Sequence, residues 1–293
     1  MSQARELANL RSIPTNGNIL LDFTSGDALQ AGGTCNIAAG LNSLGAATTG
    51  DDNIAIGRLA IGTGVTTGTG NIGLGISALS AVTGGTNNIA MGLTSADAIT
   101  GGTDNVAIGR LALSASPDGA DNIAIGRSAL AVSDGVADCN IAIGLSAMGG
   151  CDVSGLSNIA IGSLAMDALT TGICNVAIGT NALGASTTGC RNVAIGELAL
   201  GGADVTGDFN VGIGFQSGDA LTTGLNNVAI GRNTYGAATT GCDNIAIGTT
   251  ALGGAITTGI MNIAIGGAAM DALTSGICNV AIGTNALGAS TTG

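Results

Sequence analysis

The sequence predicts an all-β fold: a repeat β-solenoid, or parallel β-roll, that stacks coils of 17–18 residues. Three observations predict it. The first is a pentapeptide, Asn-(Ile/Val)-(Ala/Gly)-(Ile/Leu/Met)-Gly, that recurs through the chain. Its Asn falls at Asn53, Asn71, Asn88, Asn105, Asn122, Asn140, Asn158, Asn175, Asn192, Asn210, Asn227, Asn244, Asn262 and Asn279, always 17 or 18 residues apart. Fixed periods of this size mark repeat architectures. The second is composition: 53 Gly, three Phe, one Tyr and no Trp in 293 residues. A core this poor in aromatics must be thin, and thin cores are built by stacking. The third is a longer echo. Residues 165–189 and 269–293 differ only at Thr171 and Ser275, at an offset of 104 residues, or six repeats. A solenoid can be lengthened by duplicating a block because each coil touches only its neighbours.

Residues 1–17 lie before the repeats. Arg5, Glu6, Leu7, Ala8 and Leu10 read as a short N-terminal helix or leader. Asn18-Ile19-Leu20-Leu21-Asp22-Phe23 opens a degenerate first repeat over 18–35. Its phase is supported by Ser25-Gly26-Asp27-Ala28-Leu29, which returns as Ser217-Gly218-Asp219-Ala220-Leu221. Asn36-Ile37-Ala38-Ala39-Gly40 opens a variant copy, so about sixteen repeats fill 18–293. Thr292-Gly293 falls in mid-repeat, and a solenoid end needs a cap. The expectation is that repeats continue, or are capped, beyond 293.

The unit from Asn175 to Arg191 shows the pattern. Val176 and Ile178 alternate with Ala177 and Gly179, the period-two signature of a strand with one apolar and one small face. The apolar set is expected to face inward: Ile54, Ile56, Ile123, Ile125, Val176, Ile178, Val193, Ile195, Ile245 and Ile247. The small face is expected to meet another sheet or chain. Ala182-Leu183 reads as a second short strand, and Ser186-Thr187-Thr188-Gly189 as a turn. Coils about 4.8 Å apart would make sixteen repeats a rod of roughly 75 Å. The Asn column is expected to form a ladder, each amide bonding the next coil's turn.

Composition excludes several roles. A net charge of −12, with seven Arg and no Lys, lacks the basic footprint nucleic acid requires. No apolar run nears the ~18 residues of a membrane span, and the first residues show no secretory h-region. Seven Cys without a Cys-x-x-Cys pair, and no His, suggest neither a disulfide framework nor a zinc site. Cys174 and Cys190 occupy similar places in successive repeats. Without His or Lys there is no triad and no phosphate-loop lysine, so no catalytic, cofactor or metal residue is expected. Two columns stand out. The position after the motif Gly holds Leu41, Arg58, Ile76, Arg110, Glu197, Phe215 and Gly267 among others, a variety only a solvent-facing site accepts. Asp27, Asp97, Asp167, Asp219 and Asp271 form a second, too sparse for a calcium roll.

The Asn-(Ile/Val)-Ala-Ile-Gly phrase, followed by a second apolar step, resembles the head repeat of trimeric autotransporter adhesins such as the YadA-like head. The Thr-Thr-Gly-x-x-Asn-x-Ala-Ile-Gly form looks still more like repeats of bacteriophage tail-fibre proteins. The resemblance covers 36–293 well and 18–35 weakly. It implies a left-handed parallel β-roll, three chains around a common axis with apolar residues inward, and a structural or adhesive fibre shaft of a virion. It implies as partners two further copies of the chain, a baseplate or tail component through the N-terminus, and a host-surface receptor through a region outside this chain. The 17–18-residue unit is longer than the usual adhesin unit. Two other readings are a bacterial surface adhesin or self-polymerising filament, and a monomeric ice-binding solenoid using Thr48-Thr49, Thr66-Thr67, Thr187-Thr188, Thr239-Thr240 and Thr257-Thr258.

Overall fold

The structure is a computed structural model and describes residues 16–21, 24–29, 32–133, 137–255 and 257–292. The expected N-terminal helix over the first residues lies outside them, as does Phe23. The described fold is an all-β parallel solenoid. Its sixteen strands run from Ile19–Leu20 to Val280–Ile282, and all but the first are three residues long. Strand order equals chain order. Two compact units, Met1–Ala142 and Ile143–Gly293, are built from the same coil.

Each strand is the centre of the pentapeptide. Val193, Ala194 and Ile195 pair in parallel with Val176, Ala177 and Ile178 on one side and with Val211, Gly212 and Ile213 on the other. Like therefore stacks on like. The ladder is regular: Val193 N–H donates to Asn210 O and Gly196 N–H to Ile178 O, both at 2.8 Å. Gly196 ends the strand at φ 133°, a conformation that L side chains rarely adopt. A Cβ there would also lie 2.6 Å from the carbonyl oxygen of Gly214 in the next coil. Hence the motif closes on Gly.

The second apolar step is not a strand, contrary to the two-strand expectation. Leu198 and Leu200 both hold positive φ, 56° and 49°, and the same two positions are left-handed in coil after coil. This conformation is disfavoured for L residues by ~1–2 kcal/mol each. Here it turns two consecutive side chains, Ala199 and Leu200, into the coil interior, and both are fully buried. A strand would send one of them out.

The interior is correspondingly narrow, and this reverses the expected strand face. Ala194 is 0% exposed, whereas Ile195 is 38% exposed. Ile54, Ile56, Ile123, Ile125, Val176, Ile178, Val193, Ile195, Ile245 and Ile247 are all half-buried or exposed, while the Ala between each pair is buried. The reason is space. Where Gly212 replaces the inward Ala, a Cβ would already approach Leu200 Cγ to 2.8 Å. The Leu of the second step fills the coil, and only a methyl group fits opposite it. The branched side chains face out.

Tyr235, the sole tyrosine, occupies the Leu position in one coil and is buried. Its hydroxyl accepts a hydrogen bond from Asn244 Nδ2 at 2.9 Å. Burial pushes the phenol well above its ordinary 10.0, and the Asn244 bond offsets this in part. The folded state thus holds the phenolic proton more tightly. Stability from this group is fully present below pH 10 and is lost as pH rises through the folded pKa. In an alkaline titration the 295 nm tyrosinate signal is expected to stay flat past pH 10. It should then rise together with loss of the far-UV circular dichroism. A rise centred at pH 10 in a folded chain would contradict the burial.

Candidate functional site

The Asn column is internal. Asn192 Nδ2 donates to Gly207 O at 2.9 Å, one coil on, and Asn192 Oδ1 accepts the Asn210 N–H at 2.8 Å. Asn175 repeats the pattern with Gly189 O and the Asn192 N–H, at 2.7 and 2.9 Å, and its Nδ2 also donates to Asn158 Oδ1. Asn192 is fully buried. The column satisfies buried turn amides and carbonyls, which is structural work. Asn53, Asn71, Asn88, Asn105, Asn122, Asn227, Asn244 and Asn262 form the same inter-coil contacts. Asn279 bonds back to Asn262 Oδ1.

The Asp column is less comfortable. Desolvation by burial raises the pKa of Asp97, Asp167 and Asp219 above the usual carboxylate value. One oxygen of each, and of Asp271, is buried without a hydrogen-bond partner. Asp219 lines an open cavity of about 180 Å³ with Gln216, Asn233, Gly236, Ala237 and Gly253. This lining holds a single carboxylate and no nucleophile–base pair. The Thr columns are also engaged. Thr66 and Thr257 hydroxyls donate to Val82 O and Leu273 O at 3.0 and 2.9 Å, and that of Thr187 to Asp204 Oδ1 at 2.9 Å. All seven cysteines are free thiols, Cys35, Cys139, Cys174 and Cys278 exposed.

Among the described residues, the feature with no partner inside the chain is the outer strand face. In each unit the first and third strand residues, all branched or long aliphatics apart from Ala39, form two parallel columns. Ile56, Met91 and Ile108 in the first unit, and Ile161, Ile178 and Ile195 in the second, are 36–44% exposed. The column after the motif Gly adds Leu41, Ile76 and Leu93 in the first unit, and Leu145 and Phe215 in the second, all exposed. Soluble chains rarely leave contiguous apolar surface of this kind uncovered, and such patches mark interaction sites. Sequence reading placed the column after the motif Gly toward solvent, as found, but assigned the strand residues to the wrong side of the coil. The missing signal was the volume of the Leu step. No protein-family model and no curated protein matches this chain.

Proposed function

We propose that the chain is a structural, non-catalytic fibre component whose outer strand face is buried against two further copies of itself, as a homotrimer. The observation that carries this is the Ile/Val/Leu face, repeated coil after coil with no partner among the described residues of its own chain. A residue pattern held through so many coils serves an extended surface, not a localised site. The likeness of the repeat to bacteriophage tail fibres and adhesin heads makes the shaft of a viral attachment fibre the specific reading. In it, the N-terminal segment joins the virion and a receptor-binding region lies outside this chain. The ice-binding alternative is disfavoured because the hydroxyls of Thr66, Thr67, Thr187, Thr257 and Thr258, half of those it needs toward water, donate to protein acceptors within the coil stack.

Negative-stain electron microscopy of the purified full chain tests the reading. Short unbranched rods of uniform width are expected; round particles would contradict it.

A further inference from the structure

The two edges of the strand face carry matched residues. One edge is the position immediately before the motif Asn; the other is the position immediately after the motif Gly. In the first unit the coils read Asp52 with Arg58, Asp104 with Arg110, and Asp121 with Arg127. In the second unit one coil reads Arg191 with Glu197, both signs reversed together. Every coil charged at both positions carries opposite signs. Another coil is aromatic at both, Phe209 and Phe215. All of these residues are exposed.

Within the chain the pre-Asn edge makes contacts along the stack, Arg191 lying 5.4 Å from the Phe209 ring centroid and Asn87 Nδ2 donating to Asp104 Oδ1 at 3.1 Å, but none of them joins one edge to the other. The strand lies between the two positions, and among the described residues none of these four pairs forms an ion pair. Backbone bonds fix both edges in the stack: Arg191 N–H donates to Ile173 O and Leu198 N–H to Thr180 O. Successive coils therefore place like charges side by side. Asp104 stacks next to Asp121, and Arg110 next to Arg127, at about the 4.8 Å spacing of paired strands, an unfavourable arrangement for an isolated chain.

We infer that the copies associate parallel and in exact coil register around a common axis, each chain's pre-Asn edge lying against its neighbour's post-Gly edge. This rests on the self-association proposed above and adds its orientation and register. Rotation about an axis along the stack brings unlike edges of the same coil together. Asp104 and Asp121 of one copy then face Arg110 and Arg127 of the next, Arg191 faces Glu197, and Phe209 faces Phe215. Antiparallel packing breaks these matches, and a slip of one coil keeps a single one, Asp104 with Arg127 or Asp121 with Arg110, and loses the rest. The apolar columns supply the burial, and the charged edges select the register.

Charge reversal tests this. One variant carries Asp104→Arg and Asp121→Arg, a second Arg110→Glu and Arg127→Glu, and a third all four. Arg191 and Glu197 show that the coil accepts these residues at these positions, including the positive φ of 57° at Arg191. Circular dichroism checks that each variant folds. Sedimentation at low salt is expected to show association weakened by ~10-fold or more in the first two variants and restored in the third. The losses should shrink at 1 M salt. Half-reversed variants that assemble like the parent, or a four-fold variant no better than either, would overturn the pairing while leaving self-association intact. A parent chain that is monomeric overturns self-association itself, and the pairing with it.

Discussion

Replacing Asn192 with Ala is expected to lower the free energy of unfolding by about 2–6 kcal/mol, because two buried groups lose their partners at ~1–3 kcal/mol each. These are Gly207 O, which accepts from Asn192 Nδ2, and the Asn210 N–H, which donates to Asn192 Oδ1. Asn192→Asp should cost more still. It replaces the donor with a second acceptor facing Gly207 O, and it places a charge at a fully buried position. Urea denaturation followed by circular dichroism reads both. An Asn192→Ala chain within ~0.5 kcal/mol of the parent, the range of an ordinary surface substitution, would show that the ladder does not hold the coils.

The second large effect sets neighbouring residues against each other. Ala194→Leu enlarges a fully buried side chain at the strand position where, one coil on at Gly212, Leu200 already leaves no room for a methyl. Overpacking of this kind costs about 1–3 kcal/mol, and the rigid coil leaves little scope for relief. Ile195→Asp, one residue on, changes a side chain 38% exposed and loses only its stacking on Ile178 and Ile213, ~1 kcal/mol or less. The same substitution puts a charge in the middle of the proposed association face. Ala194→Leu should therefore be the fold-breaking change, and Ile195→Asp the assembly-breaking one. The opposite order would restore the inward placement of the branched residues. Thermal melts paired with sedimentation on the same samples separate the two.

Much of the fold was legible because its signals are local and repeated. The Asn interval fixed the coil length, and the strand lies where the period-two pattern places it. Two things were not legible. The left-handed backbone at Leu198 and Leu200 has no residue signature, since Leu is a poor choice for positive φ, unlike the Gly that announces Gly196. Without that turn Ala199-Leu200 reads as a strand, and the interior volume that Leu200 occupies is unknown. The inward face of Val193-Ala194-Ile195 then cannot be chosen, because period two gives alternation but not direction. Habit assigns the larger residues to the core, and in a coil this narrow the choice is reversed. The matched edges, Asp104 with Arg110 or Arg191 with Glu197, were visible as residues. They became a pattern only once strand and turns located them on either side of one outward face.

The central claim is that this outward face is a buried interface between copies of the chain. Light scattering coupled to size-exclusion chromatography tests it most directly. The account predicts a molar mass about three times the 27.7 kDa of one chain. It also predicts that Ile178→Asp combined with Ile195→Asp shifts that mass toward one chain while the circular dichroism of the solenoid persists. A parent that elutes at 27.7 kDa across a hundredfold range of concentration would contradict it.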